Sequence, residues 1–178
     1  VKAMEERGIG RPSTYAATIA TIMDRGYVSK KGQALVPSFL AFSVTRLLEQ
    51  NLARLVDYDF TARMESQLDE IATGAIDRVE WLRGFYHGGE GEEGLKQEVA
   101  GLGDIDAKAV NSLDIGEGIT LRVGRYGPYL EAEVDGEQKR ASIPDGVAPD
   151  ELTLDKAKEL LAKQADDGRE LGTDPETG

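Results

Sequence analysis

The chain has 178 residues, 40% of them hydrophobic, with no cysteine, one histidine and a formal net charge of −12. That apolar content supplies one or two cores, while the lack of cysteine excludes disulfides and thiolate metal centres, and one imidazole leaves little for a histidine-based site. No run nears the roughly 20 apolar residues of a membrane span and residues 1–6 lack the apolar core of a signal peptide, so a membrane partner is excluded and a cytoplasmic location is expected.

Lys2 to Arg7 reads as the end of a helix closed by Gly8, with Ile9-Gly10 as a turn into a second helix from Ser13 to Arg25 that Gly26 ends. Because the chain opens on Val1 directly in a helical pattern, it is expected to be a piece of something longer. Pro12 suits a first helical turn, and Ser13 and Thr14 offer hydroxyls to the free amides there. At about 100° per residue, Tyr15, Ile19, Ile22 and Met23 share a core-facing side. Thr14, Thr18, Thr21 and Arg25 share the other, with Arg11 just ahead of the first turn and no carboxylate on the stripe. Hydroxyls and guanidinium groups at a helix N-terminus suit phosphate oxygens, because backbone donors and the positive end of the dipole converge there.

Tyr27-Val28, Lys30-Lys31-Gly32 and Ala34-Leu35-Val36 predict a hairpin with Lys30 and Lys31 at its tip. Helix, turn, helix and wing together form a recurrent DNA-docking unit, although any small α+β domain can contain those parts. Phe39 to Leu55 repeats as a helix with Phe42, Leu47, Leu48 and Leu52 inward. A further helix capped by Thr61 carries Met64, Leu68, Ile71 and Ala72 to a stop at Gly74, and Ala75 to Tyr86 adds another with Val79, Leu82, Phe85 and Trp81. Glu65, Asp69 and Glu70 read as a solvated helix face, and His87 as a surface residue.

Gly88 to Gly94 holds four glycines in its seven positions and predicts a flexible linker. The expected organisation is therefore a helical winged-helix-like domain over 1–88, a Gly/Glu linker over 89–94, a second domain over 95–168 and a turn-rich tail over 169–178. In the second domain Ile119 to Val123, Tyr129 to Val134 and Lys139 to Ile143 read as strands of a small antiparallel sheet, with Asp135-Gly136 as a hairpin turn. Thr153 then caps a helix through about Ala165, with Ala157, Leu160 and Leu161 inward. The fold class is α+β.

Charge is unevenly spread along this plan. Residues 1–35 hold six basic against three acidic side chains, residues 36–88 five against eight, and residues 89–178 ten against twenty-two. The first segment thus escapes the acidity that argues against a polyanionic partner. In the second domain, Gly124-Arg125-Tyr126-Gly127-Pro128-Tyr129 sets two rings and a guanidinium about a tight turn. One ring is expected exposed for stacking on unpaired bases and the other buried, with the neighbouring acids weakening phosphate attraction.

Three motifs resemble the bacterial type IA DNA topoisomerases, specifically the part of the topoisomerase I enzymes that follows the nucleophile-bearing domain, in an actinobacterial, zinc-free form. They are Gly8-Ile9-Gly10-Arg11-Pro12-Ser13-Thr14-Tyr15 with Asp24-Arg25-Gly26-Tyr27-Val28, then Asp57-Tyr58-Asp59-Phe60-Thr61-Ala62-Arg63-Met64-Glu65, and the repeat signature Gly124 to Tyr129. The resemblance implies a parent enzyme that relaxes negatively supercoiled DNA by nicking one strand through a tyrosine phosphodiester, passing the other and resealing, with Mg²⁺ assisting. It implies no catalytic residue, metal or cofactor in this piece, because the nucleophile motif is absent from it and the acidic metal site belongs to an upstream domain. It also implies that Arg11, Thr14 and Arg25 contact the strand leading to the cleavage site, and that a repeat bearing Arg125, Tyr126 and Tyr129 binds single strands. The tail from Gly168 resembles the lead-in to a further repeat.

The expected partner is single-stranded DNA, with Arg11, Thr14, Thr18, Thr21, Arg25, Lys30, Lys31, Arg125, Tyr126 and Tyr129 as its contacts. The alternatives are a stand-alone winged-helix regulator of duplex DNA and an acidic C-terminal module that takes a basic protein partner. A stripe of threonine rather than Asn, Gln and Arg favours backbone over base-edge contact and so disfavours the duplex reader.

Overall fold

The computed structural model describes residues 1–89, 91–134 and 136–166. Helix α1 (Lys2–Glu6) leads through Gly8 and Gly10, both at positive φ, into α2 (Tyr15–Asp24). The antiparallel hairpin β1 (Val28–Lys31) and β2 (Ala34–Pro37) follows, with Lys31 opposite Ala34 at its tip. Ser38 fixes the exit: its hydroxyl accepts from Ala41 N at 3.2 Å to cap α3 (Phe39–Asn51) and donates to Gly26 O at 2.7 Å. The end of α2, the hairpin and α3 are thereby joined at one side chain.

Leu52, outside helical geometry, separates α3 from the single turn α4 (Ala53–Val56). Helix α5 (Tyr58–Thr73) begins earlier than Thr61, because Asp57 is the stronger cap; its carboxylate accepts from Phe60 N at 2.6 Å, while Thr61 merely donates back to Asp57 O. Gly74 ends α5 in the left-handed conformation, and Asp77 caps α6 (Arg78–His87) through Val79 N and Glu80 N, both at 2.9 Å. Where α5 meets α6, Trp81 stacks on Phe85 at 5.5 Å between ring centroids and Phe85 lies near Phe60 at 6.4 Å.

Several expected inward residues point out. Met23 on α2 and Leu68 on α5 are exposed, as are Phe42, because α3 turns Phe39 and Ser43 inward, and Val79 and Leu82, because α6 turns Trp81 and Phe85. The expected flexible linker is instead a small hairpin, β3 (Gly88–Gly89) against β4 (Glu92–Glu93); Glu90 lies outside the described residues. Gly94 packs so closely on the backbone of residues 86–88 that a Cβ there would meet Gly88 N and lie 2.6 Å from Tyr86 O. The glycines therefore permit close backbone approach as well as a turn.

Short helices α7 (Leu95–Ala100) and α8 (Ala107–Val110), the second capped by Asp106, lead to the sheet. Strands β5 (Ser112–Gly116), β6 (Ile119–Gly124), β7 (Gly127–Val134) and β8 (Glu137–Ser142) pair antiparallel in the order β5-β6-β7-β8. Strand β5 is an addition to the predicted set, although Ser112-Leu113-Asp114-Ile115 alternates; its register with β6 shifts between Asp114 and Gly116. Asp135 of the expected turn lies outside the described residues, as does the tail over 169–178, while Val134 pairs Glu137 as that turn requires.

Helix α9 (Leu154–Asp166) covers the inner face of the sheet, where Ile119, Leu121, Leu130, Ala132, Ala141 and Ile143 meet Ala157 and Leu161. Phe39 from α3 joins this same core. Three polar links cross in parallel: Arg54 to Glu98 at 2.5 and 3.0 Å, Lys31 to Glu151 at 2.8 Å, and Arg46 Nη1 to Ser112 O at 2.8 Å. The helical half and the sheet half are thus packed against each other.

Candidate nucleic-acid interface

Tyr15 is buried at the root of α2, its ring beside Gly10, and this fixes which side of the helix faces outward. Thr14, Thr18, Thr21 and Arg25 are all exposed, as the helical spacing predicts. Their hydroxyls differ. Thr14 Oγ1 accepts from Arg11 N and donates to Arg11 O, each at 3.0 Å, so it closes the turn before α2 rather than serving the helix amides. Thr21 donates to Ala17 O at 2.9 Å. Thr18 makes no side-chain hydrogen bond among the described residues.

Arg11 departs most from expectation. Asp69 and Glu65, read as a solvated face, come across from α5 to hold it: Arg11 Nη2 lies 2.7 Å from Asp69 Oδ2 and Nη1 lies 3.7 Å from Glu65 Oε2. Glu65 also accepts from Gly10 N at 3.1 Å. The bond to Asp69 holds the guanidinium even more firmly protonated than usual. The stripe therefore has a carboxylate neighbour contributed by another helix, which one-dimensional spacing does not show. Arg25 and Lys30 form no ion pair among the described residues, whereas Lys31 is paired with Glu151, whose carboxyl is held low first by Ala148 N and then by Lys31.

In the sheet, Gly124 pairs Gly127, which leaves Arg125 and Tyr126 as a two-residue loop. Tyr126 is 95% exposed, with the Arg125 guanidinium 5.7 Å from its ring centroid. Tyr129 is half-buried on the outer face of β7; its ring lies against Gly124, where a Cβ would approach to 3.0 Å. Of the two rings, Tyr126 is exposed as expected of one of them, whereas Tyr129 is half-buried rather than buried. Arg140, missed by motif reading, stands 5.8 Å from the Tyr129 ring centroid. The hairpin register would have found it: Tyr129 pairs Ser142, so Arg140 is the diagonal neighbour on the same face.

The contacts expected for a nucleic acid thus fall into two groups, one along α2 and the hairpin, the other at the tip and outer face of the sheet. Arg125 and Lys31 line one groove between hairpin and sheet. Such an arrangement gives an extended polar surface on an α+β scaffold.

Two family models match the chain: residues 1–83 match the model described as DNA topoisomerase, and residues 113–170 match the topoisomerase C-terminal repeat. The chain is 56% identical over its whole length to DNA topoisomerase 1 of Streptomyces coelicolor, 55% to that of Mycolicibacterium smegmatis, and 44% over 99% of its length to that of Synechococcus elongatus. It spans about a fifth of these relatives, 21%, 21% and 20% respectively. The structure of full-length topoisomerase I from Thermotoga maritima matches with a TM-score of 0.59 at 32% identity, covering 82% of this chain and 25% of that one. The chain belongs to the bacterial type IA DNA topoisomerases, as a segment that includes a C-terminal repeat.

Proposed function

We propose that this chain is the part of a cytoplasmic topoisomerase I that guides a single DNA strand, and that the whole enzyme relaxes negatively supercoiled DNA by strand cleavage, passage and religation. Residues 1–88 form the winged-helix-like unit of that path and residues 95–168 a repeat that holds the strand further along. The observation that carries the reading is the outward line Thr14, Thr18, Thr21 and Arg25 on α2, in which the Thr18 hydroxyl and the Arg25 guanidinium have no side-chain partner among the described residues and no base-reading amide stands. Tyr126 adds a ring open to stacking, worth about 1–3 kcal/mol per base.

The chemistry belongs to the remainder of the enzyme. Mg²⁺, implied by the family, does not fit the residues present: Glu65 and Asp69 are committed to Arg11, and no group of three or more His, Cys, Asp or Glu converges among the described residues. No step of the reaction is therefore assigned to this segment.

The test is fluorescence anisotropy with matched single-stranded and duplex oligonucleotides. Tighter binding to the single strand, weakened by Arg25→Ala, is expected. Equal or better duplex binding, or a silent Arg25→Ala, would overturn the reading.

A further inference from the structure

Where α6 meets β4 and α7, the surface opens into a cleft of about 690 Å³ that the single-strand reading does not use. A row of rings lines it: Phe60 of α5, then Phe85 and Trp81 of α6, with Trp81 parallel to Phe85 within 5°. Trp81 Nε1 donates to Gln67 Oε1 at 3.0 Å, which fixes the indole. Glu80 of α6, Glu92 and Glu93 of β4 and Glu98 of α7 line the cleft as well, against Arg54 and Arg63. A polyanion would meet four carboxylates there, so the cleft does not continue the strand path.

One end of the cleft is already filled, and by a cation. The Arg54 guanidinium lies 4.8 Å from the Phe60 centroid and 6.0 Å from that of Phe85, and Glu98 takes it in a fork at 2.5 and 3.0 Å. A flat guanidinium with a ring beneath it and a carboxylate fork beside it is a setting that suits arginine over lysine. The Trp81 end repeats the ring and the acids without the cation. Among the described residues no guanidinium or ammonium lies over Trp81, and neither Glu80 nor Glu93 forms an ion pair.

Gly84 points the same way. It stands in the interior of α6, where glycine weakens a helix relative to alanine. A Cβ added to it would meet no side chain and no other segment within 4 Å, so nothing inside the fold asks for glycine there. Gly84 lines the cleft beside Phe85, and a larger side chain would reach into the space.

We propose that this cleft docks an arginine-bearing basic segment of a partner protein, with the incoming guanidinium stacked on Trp81 and held by Glu80 and Glu93. The partner repeats in trans what Arg54 and Glu98 do within the chain. Charge complementarity brings the segment in, and the ring selects arginine. The inference goes beyond the single-strand reading and is independent of it, since it concerns another face and another ligand.

Trp81 is the one tryptophan of the chain, so its emission reports on this cleft. The whole chain is titrated with a short peptide of alternating glycine and arginine, and with its lysine counterpart. A saturable change in Trp81 emission is expected, at least about threefold tighter for the arginine peptide. Glu80→Gln with Glu93→Gln is expected to weaken it at least about fivefold, while Glu133→Gln with Glu137→Gln, which removes the same charge outside the cleft, leaves it unchanged. Gly84→Leu is expected to keep the melting temperature and abolish the response, because leucine favours a helix and fills the space. Equal effects of the two acidic pairs, equal binding of the two peptides, or an intact response in a folded Gly84→Leu variant would overturn the proposal and leave only diffuse attraction to an acidic surface. A silent Trp81 would overturn it as well. So would a dimer in sedimentation that Gly84→Leu abolishes, since the cleft would then hold a second copy. Single-strand binding, read through Arg25→Ala, stands or falls separately.

Discussion

Arg11 donates from both Nε and Nη2 to one oxygen of Asp69, Oδ2, at 3.2 and 2.7 Å. Its Nη1 meets Gly10 O at 2.7 Å and Gly8 O at 3.3 Å, so four of the five N–H groups of the fork are engaged within the protein. A phosphate reaching Arg11 must displace Asp69 or share the fork with it. Asp69→Asn is therefore expected to tighten single-strand binding, roughly threefold, and to steepen its salt slope by about 0.7, since one cation is released for phosphate. Its stability cost should stay below about 1 kcal/mol, as Asp69 is largely exposed and an exposed pair contributes little. Anisotropy and denaturant melts check the two arms; weaker DNA binding by Asp69→Asn would show that the carboxylate presents Arg11 rather than competing for it.

Arg54 and Glu98 clamp α4 to α7, and the guanidinium also lies 4.8 Å from the Phe60 ring centroid. The bond from Arg54 holds the Glu98 carboxyl below its ordinary range. A depressed carboxyl contributes stability that is fully present above its unfolded pKa, about 4.3, and is lost as the pH falls through the folded value. Glu98→Gln should therefore cost about 1 kcal/mol at neutral pH, allowing for partial solvent screening, with the gap to the unaltered chain closing as pH falls below about 4. Glu159, drawn to about 2 by Lys163 and Lys156, continues the loss of stability toward lower pH. Thermal melts between neutral and strongly acid pH measure both effects.

The two tyrosines of the sheet should separate binding from stability. Tyr126 is almost wholly exposed, so Tyr126→Ala should leave the melting temperature nearly unchanged and weaken single-strand binding by about 1–3 kcal/mol. Tyr129 packs on Gly124 and beside Arg140, so Tyr129→Ala should lower both. Melting and anisotropy on the two variants give the comparison. A large loss of stability from Tyr126→Ala would contradict the exposed placement of its ring.

What could be read from the sequence followed from local rules. The α2 stripe, the lysine-tipped hairpin, the β6–β7–β8 meander and the Gly74 stop each depend on periodicity or turn chemistry within a few residues, and all are present. What escaped depends on partners distant in sequence. Asp69 reaches Arg11 across 58 residues and Lys31 reaches Glu151 across 120. Phe39 in place of Phe42 faces the core because α3 packs on the sheet, which no single-helix pattern encodes. Arg140 sits between: its strand was predicted, but only the cross-strand register puts it beside Tyr129.

Gly94 provides the sharpest test of the joint between the two halves. A flexible linker tolerates alanine, and Gly→Ala in an unstrained segment stabilises by about 0.4–1 kcal/mol through the unfolded state. Here the added methyl would collide with Gly88 N and His87 C and lie 2.6 Å from Tyr86 O, all backbone atoms that cannot swing aside. Gly88 is constrained in the same way, with a positive φ and Glu92 O at 2.5 Å from its would-be Cβ. Gly94→Ala should therefore destabilise by about 2 kcal/mol or more, as overpacking does, and should weaken the register of α7 that brings Glu98 to Arg54. A double cycle with Glu98→Gln measures that coupling: the cost of Glu98→Gln should shrink in the Gly94→Ala background, because the clamp is already displaced. Gly88→Ala should behave likewise, whereas Gly103→Ala, where nothing lies within 4 Å, should be close to neutral. A neutral or stabilising Gly94→Ala in denaturant melts would return the segment to the status of a simple linker.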